Sequence, residues 1–419
     1  MNKWNIVLGP PGTGKTTYLL NTVEKLFDSG IGPHELAYVA FTKKAATEAL
    51  TRAITKFDYA EDSYTYFRTI HSLCYFWQGL TKADILDRKD LRTFSKLVGE
   101  KISSAWDGEN LMALNSKGDK MVFLENMARN TCVDYKLFWQ LANSDISWMH
   151  FDWFVQSYNN FKETNFLLDY TDMLSGFLDM DTSPMLRALI VDEAQDLSAL
   201  QWKCVHKLAR NVENVYIAGD DDQAIYKWAG ADTEHFINLD GKEIYLDQSY
   251  RVPRRVHDVA LNIVSRIKRR RKKTWIPKEE EGTVTYHKSF EHVDISKGEW
   301  LILARNNYLL GKVEEHVKNS GYFYTKSGKP SVTDNLIQAI KDWEKLRKGN
   351  SIEAFKIKKI YGYMKAGKGV KVGYKTMKKA DPEAFFNINQ LKKDYGLMVD
   401  DIWHKCFDLL GNTNTQYII

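Results

Sequence analysis

The octet Gly9-Pro10-Pro11-Gly12-Thr13-Gly14-Lys15-Thr16 fills every fixed position of a phosphate-binding loop. Its spelling follows from the chemistry of holding a triphosphate. Glycines let successive backbone N–H groups curve around the phosphates, Lys15 reaches the β- and γ-oxygens, and the Thr16 hydroxyl is available to Mg²⁺. The loop follows the apolar run Trp4-Asn5-Ile6-Val7-Leu8 and precedes an apolar-periodic segment. A helix starting near Lys15 adds its positive end to the same anion. Gly9 through Thr17 are therefore the expected nucleoside-triphosphate-binding segment. The competing role is a Gly/Pro turn between a strand and a helix.

A phosphate loop needs a carboxylate to complete its metal site, and one follows a short apolar run in Leu189-Ile190-Val191-Asp192-Glu193-Ala194-Gln195-Asp196. Asp192, at the end of the run, is expected to hold Mg²⁺ with Thr16. Glu193 is expected to orient and deprotonate an attacking water. Taken alone, an acid pair after a strand could instead cap the helix that follows.

These residues need a sheet to carry them. Short apolar runs recur at Leu36 to Phe41, Ala188 to Val191, Val215 to Ala218 and Ile244 to Leu246, the first of them followed by a helix-like segment from Lys43 to Ile54. This is the cadence of an α/β fold with a parallel sheet covered by helices. From about His71 to Asp169 the pattern turns helical and dense in aromatic residues. The strand cadence returns at Trp300 to Ala304, with a helix-like Tyr308 to Lys318 and an apolar Tyr322 to Tyr324, as in a second α/β unit. Lys365 to Lys379 reads as an exposed loop before a helical pair around Phe385 to Leu410.

The chain has 419 residues, 44% hydrophobic and 13% aromatic, enough for two to four domains. Its formal net charge is only +5, but residues 341–380 carry thirteen Lys/Arg against three Asp/Glu, and Lys268 to Lys273 is an unbroken basic run. Such runs are either solvated faces or phosphate contacts. Four scattered cysteines without a CxxC pair fit free thiols in a reducing compartment and imply no zinc site. With no leader and no span-length apolar stretch, the expected location is cytoplasmic and off the membrane.

Asp192 to Asp196, followed by Gly219-Asp220-Asp221-Asp222-Gln223-Ala224-Ile225-Tyr226-Lys227-Trp228-Ala229-Gly230-Ala231, closely resembles motifs II and III of superfamily 1 helicases of the UvrD/Rep type. Ala40 to Ala46 resembles motif Ia, Thr69-Ile70-His71-Ser72 the Thr-x-His motif, Leu246 to Arg251 motif IV, and Leu303 to Asn306 the strand motif after it. The wording is closest to short phage-encoded members, which would place the protein in the host cytoplasm. The resemblance spans roughly residues 3–325.

It implies a P-loop NTPase with a RecA-like parallel sheet, helical insertions and a second RecA-like domain. Residues 1–70 and 170–236 would form the first motor domain, 71–169 a helical insertion, 237–325 the start of the second motor domain, and 326–419 an inserted basic domain that touches duplex DNA. The resemblance also implies ATP-dependent translocation on single-stranded and forked DNA, 3′ to 5′. It makes Gln223 a γ-phosphate sensor, Arg251 a stabiliser of charge on the transferring phosphoryl group, and Tyr250 the aromatic on adenine. Phe41, Tyr226 and Trp228 would stack on bases, with Thr42 and His71 beside them. Core packing is the competing role for the aromatics, and helix capping for His71.

Two departures qualify the resemblance. The Thr-x-His-x-x-Lys-Gly and Thr-Arg blocks expected after residue 325 do not occur, and a Thr51-Arg52 fragment is set aside as coincidental. The second motor domain is thus expected to be incomplete, without closing strands, and completed by a further segment or a second chain. Low turnover by these residues alone follows from that expectation. A P-loop DNA-repair ATPase that moves no strand, or a nucleic-acid-binding regulatory protein with little turnover, are the alternatives. The family's upstream Gln-containing segment that reads adenine finds only eight residues before Gly9 here, so Tyr250 is expected to be the main adenine contact and discrimination among purine triphosphates to be poor.

Overall fold

The computed structural model describes residues 4–103, 116–364, 368–395 and 416–418. The chain divides into two compact units, Met1–Val284 and Thr285–Ile419.

In the first unit the elements run β1 (Asn5–Leu8), α1 (Lys15–Asp28), β2 (Leu36–Ala40), α2 (Lys43–Lys56), β3 (Phe67–Thr69) and α3 (Ile70–Trp77). Helices α4 (Arg88–Val98), α5 (Lys117–Asn130), α6 (Tyr135–Leu141), α7 (Trp148–Thr164) and α8 (Tyr170–Asp179) follow. The unit continues with β4 (Ala188–Asp192), α9 (Ala199–Leu208), β5 (Asn214–Gly219), α10 (Thr233–Ile237), β6 (Lys242–Tyr245) and α11 (Arg254–Val264). Six strands form one sheet in the order β3-β2-β4-β5-β1-β6, every pairing parallel.

Strands buried on both faces explain the continuous apolar runs. With a side-chain period of two, Ile6, Leu8, Ala37, Val39, Leu189, Val191, Val215 and Ile217 share a core with side chains of α3, α8 and α9. Val7, Leu36, Tyr38, Ala188, Ile190 and Ala218 share the opposite core with α1 and α2. Local caps set where helices begin: the Thr42 and Thr69 hydroxyl oxygens accept from Ala45 N and Ser72 N, and Ser198 forms a reciprocal box with Gln201. Helices α4–α7 pack around Phe94, Phe151, Phe154 and Tyr158, and no strand falls among the described residues between α3 and β4. Next to this core Arg129 and Lys162 both donate to Asp169 and Asp172.

One expected boundary is corrected. The division at residues 236 and 237 falls before β6, which pairs along its whole length with β1 and so belongs to the first sheet. The physical reason is that β1 would otherwise present an unpaired edge beside the phosphate loop.

The second unit holds β7 (Trp300–Leu301), α12 (Asn307–Asn319), β8 (Phe323–Lys326), β9 (Lys329–Pro330), α13 (Asp334–Arg347), β10 (Ile352–Glu353) and α14 (Ala354–Tyr363). It continues with α15 (Lys368–Lys379), β11 (Phe385–Phe386), α16 (Ile388–Tyr395) and β12 (Gln416–Ile418). Strand β12 lies between β7 and β8 and is parallel to both. The expectation that no closing strand returns to this sheet is therefore corrected. A parallel pairing needs a long crossover, and α13–α16 lie within the stretch between β9 and β12.

The Lys365–Lys379 stretch, expected as a loop, contains α15 instead. Val370, Tyr374 and Met377 have helical spacing, and Met377 is buried. A Cβ on Gly373 would lie 2.3 Å from the Tyr361 ring, so this glycine permits close packing of α15 on α14 rather than marking a turn. The three acids of the basic stretch are all engaged, Asp342 by Lys345, Glu344 by Arg347 and Glu353 by Lys356, while Lys371, Lys375, Lys378 and Lys379 are exposed. The second helix of the expected terminal pair, and Cys406, lie outside the described residues. Cys74, Cys132 and Cys204 are free thiols. Among the described residues no helix is long and apolar enough to cross a membrane.

Candidate active site

The carboxyl ends of β1, β2, β4, β5 and β6 all open on one edge of the sheet, where ligands of open α/β sheets bind. Here a polar cleft of about 590 Å³ is lined by Pro10 to Thr17, Asp192, Glu193, Gln223, Tyr250 and Arg251. Gly9 lies at its base: its N–H donates to Gly219 O at 3.3 Å, and its carbonyl accepts from Lys15 Nζ at 3.0 Å. Gly14 caps α1 at φ +81°, a left-handed conformation that glycine adopts without strain.

Gly12 is needed for a second reason, close approach. A Cβ there would sit 2.4 Å from Arg251 Cβ. Residues 249–251 dock directly on the loop, with Tyr250 N–H donating to Gly12 O at 2.9 Å and Ser249 Oγ donating to Pro11 O at 2.7 Å. Arg251 and Tyr250 are thereby held at the cleft, and the Tyr250 ring is exposed rather than packed internally.

Asp192 ends β4 and is buried. Its Oδ1 accepts from Glu193 N at 2.9 Å, and its Oδ2 accepts from the Tyr38 hydroxyl at 2.9 Å. Burial, and then the neighbouring Glu193 charge, push its carboxyl up to about 6. A buried carboxylate with a like-charged neighbour, sharing a cleft with the Thr16 hydroxyl, is a hard-oxygen donor set that fits Mg²⁺. Glu193 adopts φ +53° and stands 3.8 Å from Lys15 Nζ. Neither Asp192 nor Asp196 caps α9, since Ser198 does.

Gln195 joins the two chemical blocks. Its Nε2 donates to Glu193 Oε2 at 2.9 Å and to Asp196 Oδ2 at 3.0 Å, while its Oε1 accepts from Asp220 N at 3.0 Å. Asp220 Oδ2 in turn accepts from Gln223 Nε2 at 2.6 Å. The run Asp220-Asp221-Asp222 closes around Lys273, which is buried 2.9 Å from Asp220 and 3.2 Å from Asp222 and also bonds Asp221. Arg270 grips Asp222 through two bonds of 2.6 and 2.5 Å. Half of the basic run 268–273 is thus neither a solvated face nor a phosphate contact. Arg270 and Lys273 neutralise the aspartates, and Arg271 bonds Glu243 and the carbonyls of Phe236 and Leu239.

Arg52, which no motif singled out, projects from α2 into the wall of the cleft, paired with Glu48 at 2.5 Å. The signal available in sequence was spacing, with Ala45, Glu48 and Arg52 at helical intervals.

The residues expected to touch DNA lie at the same edge of the sheet and are unequal. Phe41 is 7% exposed and belongs to the core, which corrects its role as an open stacking surface. Its ring meets Tyr226 at 5.0 Å, and Tyr226 meets Trp228 at 6.0 Å, a ladder that leads from the core to an exposed indole. Thr42 caps α2. His71 does not cap α3, because Thr69 does.

Desolvation lowers the His71 imidazole to about 4. The fold therefore favours neutral His71, a contribution present above the unfolded value near 6.5 and lost as pH falls towards 4. We expect about 3 kcal/mol of stability to disappear over that window. Urea unfolding of a His71→Asn variant should lack this part of the pH slope; an unchanged slope would refute it.

Comparison with known proteins places these features. Residues 1–243 match the model of the UvrD/REP helicase N-terminal domain. A probable DNA helicase of Mycoplasma pneumoniae is 28% identical over 300 residues, covering 66% of this chain and 55% of that protein. The ATP-dependent DNA helicase PcrA of Bacillus subtilis is 25% identical over 304 residues, covering 68% of this chain and 40% of its own length. The ATP-dependent DNA helicase Rep of Buchnera aphidicola is 23% identical over 288 residues, 62% of this chain and 40% of that one. The chain thus spans about half or less of the curated relatives it matches.

Proposed function

Because the chain belongs to the UvrD/REP helicase family, we propose that it hydrolyses ATP and uses the energy to move 3′ to 5′ on single-stranded DNA and to part forked duplexes. The observation that carries this reading is one cleft holding Lys15, Thr16, Asp192, Glu193, Gln223 and Arg251, with the exposed Trp228 on the same segment as Gln223.

The chemistry follows from the placement of these groups. Loop N–H groups and Lys15 bind the triphosphate, and Tyr250 offers a face to the base. Glu193 takes a proton from the water that attacks the γ-phosphorus as the bond to the β–γ bridging oxygen breaks and ADP departs with its electron pair, while Arg251 offsets charge on the phosphoryl oxygens. Mg²⁺, held by Thr16 and Asp192, neutralises phosphate charge when bound. Gln223 hangs from Asp220, three residues before the Tyr226–Trp228 pair begins to offer stacking surface. A movement of the sensor loop on hydrolysis therefore shifts the DNA-facing aromatics, which is how nucleotide state becomes grip.

The test is steady-state ATP hydrolysis with and without single-stranded DNA, beside strand displacement on a forked duplex. DNA-stimulated turnover with displacement supports the proposal. Turnover without displacement would identify a P-loop ATPase that moves no strand. A Trp228→Ala variant is expected to weaken single-stranded DNA binding by about 1–3 kcal/mol, or roughly 5- to 150-fold, in fluorescence anisotropy regardless of sequence. Unchanged affinity would remove Trp228 from the DNA surface.

A further inference from the structure

We propose that Tyr38 is a positioning residue for the metal-binding carboxylate, setting the orientation in which Asp192 receives Mg²⁺; this rests on the Mg²⁺–ATP reading of the cleft.

The sheet face that carries Tyr38 buries an apolar core around it, including Val7, Leu36, Ala188, Ile190 and Ala218. A hydroxyl in such a layer is unfavourable unless it is hydrogen-bonded. Tyr38 is fully buried, and its hydroxyl donates to Asp192 Oδ2 at 2.9 Å. Strand register makes this possible. Tyr38 pairs with Ile190, and Asp192 lies two residues further along β4 on the same face. Two strand residues cover roughly 6.6 Å, a distance the tyrosine side chain spans from its Cα to its hydroxyl. Phe67 on β3 stacks on the Tyr38 ring at 5.5 Å and 18°, which fixes the ring plane.

The consequence for Asp192 is specific. Its Oδ1 accepts the Glu193 N–H and its Oδ2 accepts the Tyr38 hydroxyl, so each oxygen has one fixed donor and keeps further acceptor capacity. With both oxygens tied, the carboxylate cannot rotate about its last bond to suit another partner. Hydrogen bonds of this kind behind a metal ligand commonly set affinity by 10- to 100-fold. The phenol itself does not face the cleft and touches no phosphate in this scheme; its action passes through Asp192.

A Tyr38→Phe variant keeps the ring, its packing and the stack on Phe67, and removes only the donor. Binding of a fluorescent ATP analogue is measured in EDTA and across a Mg²⁺ titration, for the parent, Tyr38→Phe and Asp192→Asn. We expect Tyr38→Phe to raise the Mg²⁺ needed for half-maximal tightening about 10-fold, with analogue affinity in EDTA unchanged. A merely structural tyrosine would shift both affinities together, and that result, or a Mg²⁺ requirement within twofold of the parent, overturns the proposal. If Asp192→Asn also leaves the requirement unchanged, the assignment of Asp192 to the metal falls, and this inference with it. If only Asp192→Asn raises the requirement, the role of Tyr38 alone is refuted.

Discussion

Replacing Glu193 by glutamine is expected to slow ATP hydrolysis by about 10²- to 10⁴-fold while leaving ATP affinity within a few-fold. Glutamine preserves length and shape and can still accept the 2.9 Å bond from Gln195, so the cleft stays in place. What it removes is the base. Nothing else lining the cleft substitutes for it: Asp192 is buried and committed to Tyr38 and the Glu193 N–H, and Glu48 is paired with Arg52. The left-handed backbone at Glu193 turns its side chain to the cleft, at 39% exposure, immediately after a fully buried strand. Single-turnover hydrolysis with saturating ATP is the direct measurement. A loss of less than tenfold would mean that proton removal contributes little and that another group orients the water.

The second large effect is on stability. Exchanging Lys273 for methionine should cost about 3–5 kcal/mol, because it removes the buried counter-charge of Asp220 and Asp221, while Asp222 keeps Arg270. Burial opposes the Lys273 charge, yet Asp220 and Asp221 outweigh it and raise its pKa. The ammonium is thus held charged by the loop it organises. Gln223 hangs from the same Asp220, so hydrolysis should fall along with stability. Urea unfolding of Lys273→Met, Asp221→Asn and the double variant separates the contributions. The double variant is expected to be more stable than Lys273→Met alone, since one uncompensated charge is gone. A cost below 1 kcal/mol for Lys273→Met would equate this cluster with an exposed ion pair.

The phosphate loop was legible because its chemistry is contiguous: Gly9 to Thr17 act through their own backbone and adjacent side chains, and no distant partner is needed to recognise them. Asp192 and Glu193 were legible as a strand-end pair, and the sheet itself as a series of apolar runs. The Phe41 reading failed for a local reason. Its strand alternation continues Ala37 and Val39 into the core, and a motif position does not change which face of a sheet a side chain occupies. The α15 reading failed because glycines and lysines suggest a loop, whereas Gly373 is there to let Tyr361 approach.

By itself, then, the sequence determined the glycine-rich loop proposed to bind nucleotide, the α/β class, the helical character of the segment between α3 and β4 and the family likeness, all carried by short-range spacing. Only tertiary structure decided what lies across long separations. It placed Lys273 among aspartates about fifty positions earlier, Tyr38 on an acid 154 positions later, Arg52 in the cleft wall, and Gln416–Ile418 between β7 and β8. Hydrogen bonds and buried charges depend on distance in space, and parallel pairing joins segments by register rather than by any local signal in either strand.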